Sequence, residues 1–321
     1  MPLVPGEGFS AVSHSGTLVV TRFPQSEFRL AWVGRDGTSE FLPLDPGFYH
    51  QPALSPDGRR IAVEFGMDVW IYSLDRGTFN RLTFGDSGYW PIWTPDGRYV
   101  VYTAPRWRGS PDGGDLFRKR ADGSGPEERL TTTELEHSPM SFTPDGKTLV
   151  ICVYSPTTGG DLWRLRLDGG RKPEPLLRTR FNEGSGMVSP DGRWLAYHSD
   201  ESGQLEVYVV SFPEPSSKWR VSNAGGFQPL WSPDGRELFY RTDDGTVFAV
   251  PVETNPVFGV AGKPRSLFKR NFRRGGRTNY TVTPDGKRFL ICELLPESSA
   301  AQFEVVVNFV AELQGRARTV K

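Results

Sequence analysis

At 321 residues, with 36 Gly, 27 Pro, 21 Phe, 10 Tyr and 9 Trp, the chain is rich in turn and strand formers and lacks the composition of a helical core. Its 38 basic and 38 acidic residues cancel, which excludes recognition of nucleic acid or an anionic membrane through overall charge. No apolar run approaches the roughly 20 residues of a membrane helix, and Met1 to Ser10 carries neither the basic nor the apolar region of a secretory signal, so any export signal is expected outside this sequence.

In chain order, a degenerate turn, Ser13-His14-Ser15-Gly16, precedes six full copies of Ser/Thr-Pro-Asp-Gly. These begin at Ser55, Thr94, Thr143, Ser189, Ser232 and Thr283. Their spacing of roughly 40–50 residues is the period of a propeller blade. Pro presets φ at the first central position, Asp bonds a nearby backbone N–H, and Gly takes the left-handed conformation that realigns the exit strand. Gly58, Gly97, Gly146, Gly192, Gly235 and Gly286 are therefore expected at positive φ.

An apolar strand precedes each turn, ending at Leu54, Trp93, Phe142, Val188, Trp231 or Val282, and a second follows it, as in Leu149-Val150-Ile151. A third alternates with period two, as in Asp68 to Leu74 and Asp161 to Leu167. A short fourth, such as Arg81-Leu82-Thr83 or Arg220-Val221-Ser222, closes most units. The fold class is all-β, a single β-propeller of four-stranded blades spanning residues 1–321. A count from Phe9 favours seven blades, with six as the alternative. The ring is expected to close by pairing of N- and C-terminal strands, Met1 to Glu7 supplying the strand missing from the last unit.

These repeats resemble the WD40-like (PD40), TolB-type bacterial propellers. More closely, the chain is similar to the C-terminal sensor propeller of bacterial serine/threonine protein kinases. The residues that carry the likeness are Asp161-Leu162-Trp163 through Asp168-Gly169-Gly170, Phe181-Asn182-Glu183-Gly184, Gly226-Phe227-Gln228-Pro229 and Val305-Val306-Val307-Asn308-Phe309. The resemblance implies a sensing module, a periplasmic or extracytoplasmic setting and an upstream kinase domain absent here. The kinase signatures themselves, a Gly-rich loop, His-Arg-Asp and Asp-Phe-Gly, do not occur in the sequence.

Gly85-Asp86-Ser87-Gly88 copies a protease nucleophile motif without its barrel, and Gly184-Ser185-Gly186 lacks the strand-to-helix context of a hydrolase elbow. Cys152 and Cys292 occupy equivalent places in distant blades, too far apart to bridge. The basic run Lys269-Arg270 with Arg273, Arg274 and Arg277 reads as solvated loop.

The candidate site is one mouth of the central channel. His50 stands five residues before its turn, and His137 and Glu183 stand six before theirs. Imidazole and carboxylate from several blades form a candidate set for Zn²⁺, Mn²⁺ or Ca²⁺. Glu136 or Asp86 would then serve as general base. Tyr49, Tyr89, Trp90 and Phe227 offer contact area there, and Gln51, Asn182 and Gln228 offer polar orientation. Two readings follow: a non-catalytic module binding a small molecule, peptide or protein at the channel mouth, or a metal-dependent hydrolase or lyase. Polar side chains that bind only water are the bland alternative to the metal set.

Overall fold

The computed structural model describes residues 7–13, 17–22, 27–85, 88–105, 114–132, 135–272, 278–295 and 302–306. Two strands open it, β1 (Glu7–Val12) and β2 (Leu18–Arg22), followed by β3 (Phe28–Gly34) and β4 (Ser39–Phe41). Blade 1 is β5 (Tyr49–Leu54), β6 (Arg60–Phe65), β7 (Asp68–Ser73) and β8 (Thr78–Arg81). Blade 2 is β9 (Tyr89–Trp93), β10 (Tyr99–Pro105), β11 (Gly114–Arg120) and β12 (Glu128–Arg129). Blade 3 is β13 (Glu136–Phe142), β14 (Thr148–Ser155), β15 (Gly159–Arg166) and β16 (Pro173–Leu177). Blade 4 is β17 (Glu183–Val188), β18 (Trp194–Ser199), β19 (Glu206–Ser211) and β20 (Lys218–Arg220). In blade 5, β21 (Phe227–Trp231) and β22 (Glu237–Arg241) lead to β23 (Thr246–Glu253), whose outer edge takes both β24 (Gly259–Val260) and β25 (Arg265–Lys269).

Blade 6 joins the two ends of the propeller: β26 (Tyr280–Val282) and β27 (Arg288–Leu294) supply its inner half, and β3 and β4 its outer half. The last strand, β28 (Gln302–Val306), pairs instead with β2 in a separate three-stranded sheet, β1-β2-β28. Phe28–Glu293 forms one compact unit, and Met1–Glu27 with Leu294–Lys321 forms another. No helix occurs among the described residues, so none is long and apolar enough to cross a membrane.

The propeller therefore has six blades, not the favoured seven. The Ser13 turn belongs to the β1–β2 hairpin, where Ser13 N–H donates to Thr17 O at 2.9 Å. The strands after it, β3 and β4, leave that hairpin and complete the last blade. Of the expected closing strand, Met1 to Glu7, residues 1–6 lie outside the described residues and Glu7 begins β1, opposite Arg22.

Each full turn is locked in the same way. The Ser or Thr hydroxyl donates to the Asp carboxylate two residues on, at 2.5–2.6 Å in all six copies, and accepts the N–H five residues on, as in Arg60 N to Ser55 Oγ at 2.9 Å. The six glycines have φ between 65° and 74°. A β-carbon built on each would meet the proline of the preceding turn: 3.7 Å from Pro56 at Gly97, 3.6 Å from Pro95 at Gly146, and 3.2 Å from Pro284 at Gly58, which closes the circle.

Both faces of a blade pack on neighbours, so the central strands are apolar on both sides, as in the buried run Leu149 to Val153. Ala62, Val69 and Ile71 of blade 1 share a core with Trp93, Val100 and Tyr102 of blade 2. Tryptophans before the turns also reach backward: Trp93 Nε1 donates to Ala53 O and Trp231 Nε1 to Met187 O, both at 2.9 Å. Cys152 and Cys292 are buried thiols that form no disulfide with each other, and Cys292 Sγ donates to Tyr49 O at 2.8 Å.

Blades 4, 5 and 6 share one buried polar network. Gln228 N–H donates to His198 Nδ1 at 3.4 Å, Arg241 Nε donates to the Gln228 side-chain oxygen at 2.6 Å, and Tyr280 Oη donates to Gln228 O at 2.7 Å. Gly184 packs so closely on His198 that a β-carbon there would lie 2.5 Å from Nε2. Burial, aided by the Arg241 cation and opposed by Asp200, lowers His198 to about 4.

Two measurements test this account. Gly146→Ala should cost about 1–2 kcal/mol, because its φ of 70° is strained for any side chain; an unchanged urea midpoint would refute the turn argument. His198 is neutral in the fold and titrates near 6.5 when unfolded, so its contribution is complete above pH 6.5 and is lost as pH falls toward 4. That loss amounts to about 3 kcal/mol. His198→Asn should flatten the stability profile between those pH values, as read by denaturant unfolding at several pH values.

Candidate functional site

The inner strands of blades 1 to 5 carry an irregularity just before the turn. In blades 1, 2, 4 and 5 the pairing with the second strand slips between His50 and Ala53, Tyr89 and Ile92, Gly184 and Met187, and Phe227 and Leu230. At each slip one non-glycine residue takes the left-handed conformation: Gln51 (φ 49°), Trp90 (58°), Ser185 (50°) and Gln228 (53°). In blade 3 the slip falls later, between Pro139 and Ser141. A side chain in this region costs about 1–2 kcal/mol, so the bulges place strain at one height around the axis.

Below them the inner strands enclose an axial cavity of about 270 Å³ to which all six blades contribute. Its lining includes Gln51 and Ala53, Trp90 and Ile92, Pro139 and Met140, then Met187, Leu230 and Tyr280. The lining is mostly apolar. A larger groove of about 470 Å³ lies off the axis, along the outer strands of blade 1 and the turn after β11, lined by Arg59, Arg60, Arg76, Arg81 and several acids. Two of those arginines are committed: Arg60 donates to Gly97 O at 2.8 Å and stacks on Trp93, and Arg81 pairs with Asp68.

Of the residues expected at the channel mouth, Gln51 and Trp90 line the cavity, and the Tyr89 ring lies 5.9 Å from that of Trp90. Others have structural roles. Tyr49 is buried, stacks on Phe65 at 4.9 Å and donates to Asp45 O at 2.9 Å. Asn182 is exposed, and its Oδ1 accepts Gly160 N–H at 2.8 Å. Gln228 is fully buried in the three-blade network, and Phe227 carries the Arg241 guanidinium 4.2 Å above its ring. Burial lowers Arg241 to about 10, which leaves it charged at neutral pH.

His50, His137 and Glu183 are placed separately. His50 Nδ1 lies 3.3 Å from Glu64 Oε1, with Phe28 edge-on at 5.6 Å. His137 is buried, and its carbonyl accepts Thr103 Oγ1 at 2.8 Å. Glu183 is buried; its carboxylate accepts the Thr179 hydroxyl and feels the charge of Asp161, a residue on the third strand of blade 3. Burial, reinforced by Asp161 and opposed by Thr179, raises the Glu183 carboxyl above its usual range. Among the described residues, no group of three or more His, Cys, Asp or Glu side chains is arranged to hold a metal ion. Offsets of five and six residues from the turn fall on opposite faces of a strand, which sets His50 apart from His137 and Glu183. Glu136 is half-buried at the start of β13, and Asp86 lies outside the described residues.

Sequence reasoning missed the apolar half of the lining, Met140, Met187 and Leu230, and it missed the bulges. A signal for the bulges exists in Gln51-Pro52, Trp90-Pro91 and Gln228-Pro229, each three residues before its turn.

No family model matches the chain. An uncharacterized protein of Agrobacterium fabrum is 27% identical over 284 residues, covering 84% of this chain and 78% of that protein. A candidate TolB from Agrobacterium tumefaciens superposes with a TM-score of 0.70 at 19% identity, covering 85% of this chain and 99% of that one. TolB from Acinetobacter baumannii gives 0.53 at 14% identity, covering 91% and 80%. An oligogalacturonate lyase in complex with manganese gives 0.52 at 14% identity, covering 87% and 75%. At these identities the likeness is one of fold, and the fold is that of a TolB-like β-propeller.

Proposed function

We propose that this chain is a non-catalytic recognition propeller whose axial cavity and strained mouth take a small molecule or a side chain of a peptide or protein partner. The observation that carries the reading is the coincidence of two features: left-handed Gln51 and Trp90 stand at the bulges, and both line the apolar cavity. Strain of this kind persists where the surrounding structure imposes it, and it clusters at binding sites. Trp90 supplies a large contact surface, Met140 and Met187 supply an adaptable lining, and Gln51 supplies a polar group to orient the occupant. A cavity of about 270 Å³ suits one aromatic or branched group rather than a folded segment.

The resemblance to kinase sensor propellers fits this role, with the occupant as the sensed signal. The rival, a metal-dependent hydrolase or lyase, draws support from a fold shared with a lyase seen in complex with manganese. It would also need a different arrangement of His50, His137 and Glu183.

Ligand-observed NMR with a library of small aromatic and aliphatic fragments tests the proposal. Fragments that bind the wild-type chain should lose affinity by roughly tenfold or more in Met187→Trp, which fills the cavity, and in Trp90→Ala, which removes its largest surface. Binding that survives both substitutions would place recognition elsewhere.

A further inference from the structure

Blades 1, 2 and 4 bury an acid at the head of the third strand and neutralise it with an Arg-x-Ser/Thr element on the fourth. In blade 1, Asp68 receives Arg81 and the Thr83 hydroxyl at 2.7 Å, while Thr83 Oγ1 accepts Val69 N–H at 2.9 Å. Blade 2 repeats this with Asp115, Arg129 and Thr131, and Leu116 N–H donates to Thr131 Oγ1 at 2.9 Å. In blade 4, Glu206 receives Arg220 at 2.8 Å and the Ser222 hydroxyl, with Val207 N–H donating to Ser222 Oγ at 2.8 Å. In blades 1 and 4 a glycine of the next blade then closes over the hydroxyl, and after blade 2 the same position holds His137. A β-carbon at Gly88 would lie 2.6 Å from Thr83 Oγ1, and one at Gly226 2.6 Å from Ser222 Oγ.

Blade 3 keeps the acid, Asp161, and changes the groups around it. Strand pairing sets Trp163 opposite Pro175 and Leu162 opposite Leu177. Counted from the Leu162–Leu177 pair, Leu176 stands where blades 1, 2 and 4 have Arg and Arg178 where they have Ser or Thr, while the slip in pairing puts Pro175 opposite Trp163, the place Arg81 takes opposite Trp70. The Arg178 side chain is 55% exposed, and its Nε stays 3.9 Å from Asp161 Oδ2, beyond hydrogen-bond reach. Where blades 2 and 5 place the covering glycine, blade 4 places Glu183. The cleft between blades 3 and 4 thus holds two carboxylates where its counterparts hold one.

Both carboxylates are almost wholly buried, at 1% exposure for Asp161 and 2% for Glu183. One oxygen of each is satisfied, Asp161 Oδ2 by Thr158 Oγ1 at 2.7 Å and a Glu183 oxygen by Thr179. The others, Asp161 Oδ1 and Glu183 Oε2, are buried with no hydrogen-bond partner. Lys218, the ammonium nearest in effect, is already paired with Glu201.

We propose that the blade 3–blade 4 cleft is a cation site in which Asp161 and Glu183 hold one divalent ion through oxygen, with Ca²⁺ as the best-matched ion. Buried carboxylates without compensation are costly, and in the sister clefts an arginine offsets that cost. Here the organic cation, Arg178, is held 3.9 Å off, beyond hydrogen-bond reach, a second negative group has been added, and the donors presented are hard oxygens from carboxylates and neighbouring hydroxyls, the set Ca²⁺ prefers. The ion replaces arginine as the tie between third and fourth strands and extends it to the next blade. The site is separate from the axial cavity and independent of what that cavity binds.

Equilibrium dialysis of chelator-treated full-length chain against millimolar Ca²⁺, with thermal unfolding on the same samples, tests the site. About one ion per chain should bind, with a melting temperature that climbs with Ca²⁺ concentration. Asp161→Asn and Glu183→Gln should each weaken binding roughly tenfold or more. The double variant Leu176→Arg with Arg178→Thr rebuilds the sister arrangement; it should stay folded by circular dichroism and lose the response to Ca²⁺. Absence of bound ion in the wild-type chain would overturn the proposal in favour of a proton shared between the two carboxyls, and undiminished binding in the carboxylate variants or the double variant would overturn it in favour of an ion bound elsewhere.

Discussion

The nose-to-tail packing of six Ser/Thr-Pro-Asp-Gly turns is the constraint on which the rest of the propeller depends. Each turn is rigid in itself, because one hydroxyl both donates to the Asp carboxylate and accepts the N–H that starts the next strand. Each is also fixed to its neighbour, because a glycine without a β-carbon lets the preceding proline ring close in. Gly58 against Pro284 makes the series a circle. A circle of six equal links sets the distance of every inner strand from the axis, and so sets the width of the cavity those strands enclose. Closure through β3 and β4 is compatible with this because it alters only the outer half of blade 6.

Most of the fold was legible because its determinants are local. Turn chemistry, apolar inner strands and a period-two third strand all lie within one repeat, and the positive φ of the six glycines followed from the turn type alone. The blade count was not local. Whether β3 and β4 belong to the hairpin before them or to strands more than two hundred residues later depends on which edge is available when the ring closes, and no pattern inside Phe28 to Phe41 records that. At the candidate site, distance from the turn speaks only of height: Gln51 and Trp90, each four residues before its turn, both line the axial cavity. That distance gave no information on facing, and a bulge that inserts one residue reverses the faces beyond it. His50 and Glu183, one position apart in that frame, consequently meet different neighbours, Glu64 in one case and Asp161 in the other.

Polar groups in the interior fall into two classes with different consequences. Where a charge is fully engaged, as with Glu206 among Arg220, Ser222, Gln204 and Gly225, burial pushes its carboxyl up but the hydrogen bonds prevail and hold it below its usual range. Where engagement is partial, as with Glu183, burial prevails and the carboxyl is raised. Two buried acids of one blade can therefore be a tie or a liability, according to the groups that engage them.

A repeat protein supplies its own reference for such judgements. Three departures meet in one cleft: Leu176 in place of arginine, Arg178 in place of a hydroxyl residue, and Glu183 in place of glycine. Displacement of the arginine alone would leave Asp161 poorly compensated, and addition of Glu183 alone would set a second carboxylate against an occupied site. Each change is unfavourable by itself, since burying a poorly compensated charge costs several kcal/mol. Together they hold the guanidinium of Arg178 3.9 Å from Asp161 and leave two buried carboxylate oxygens, Asp161 Oδ1 and Glu183 Oε2, without a hydrogen-bond partner. The joint direction of the three changes, toward more negative charge in a buried space, therefore argues for substitution of one positive partner by another.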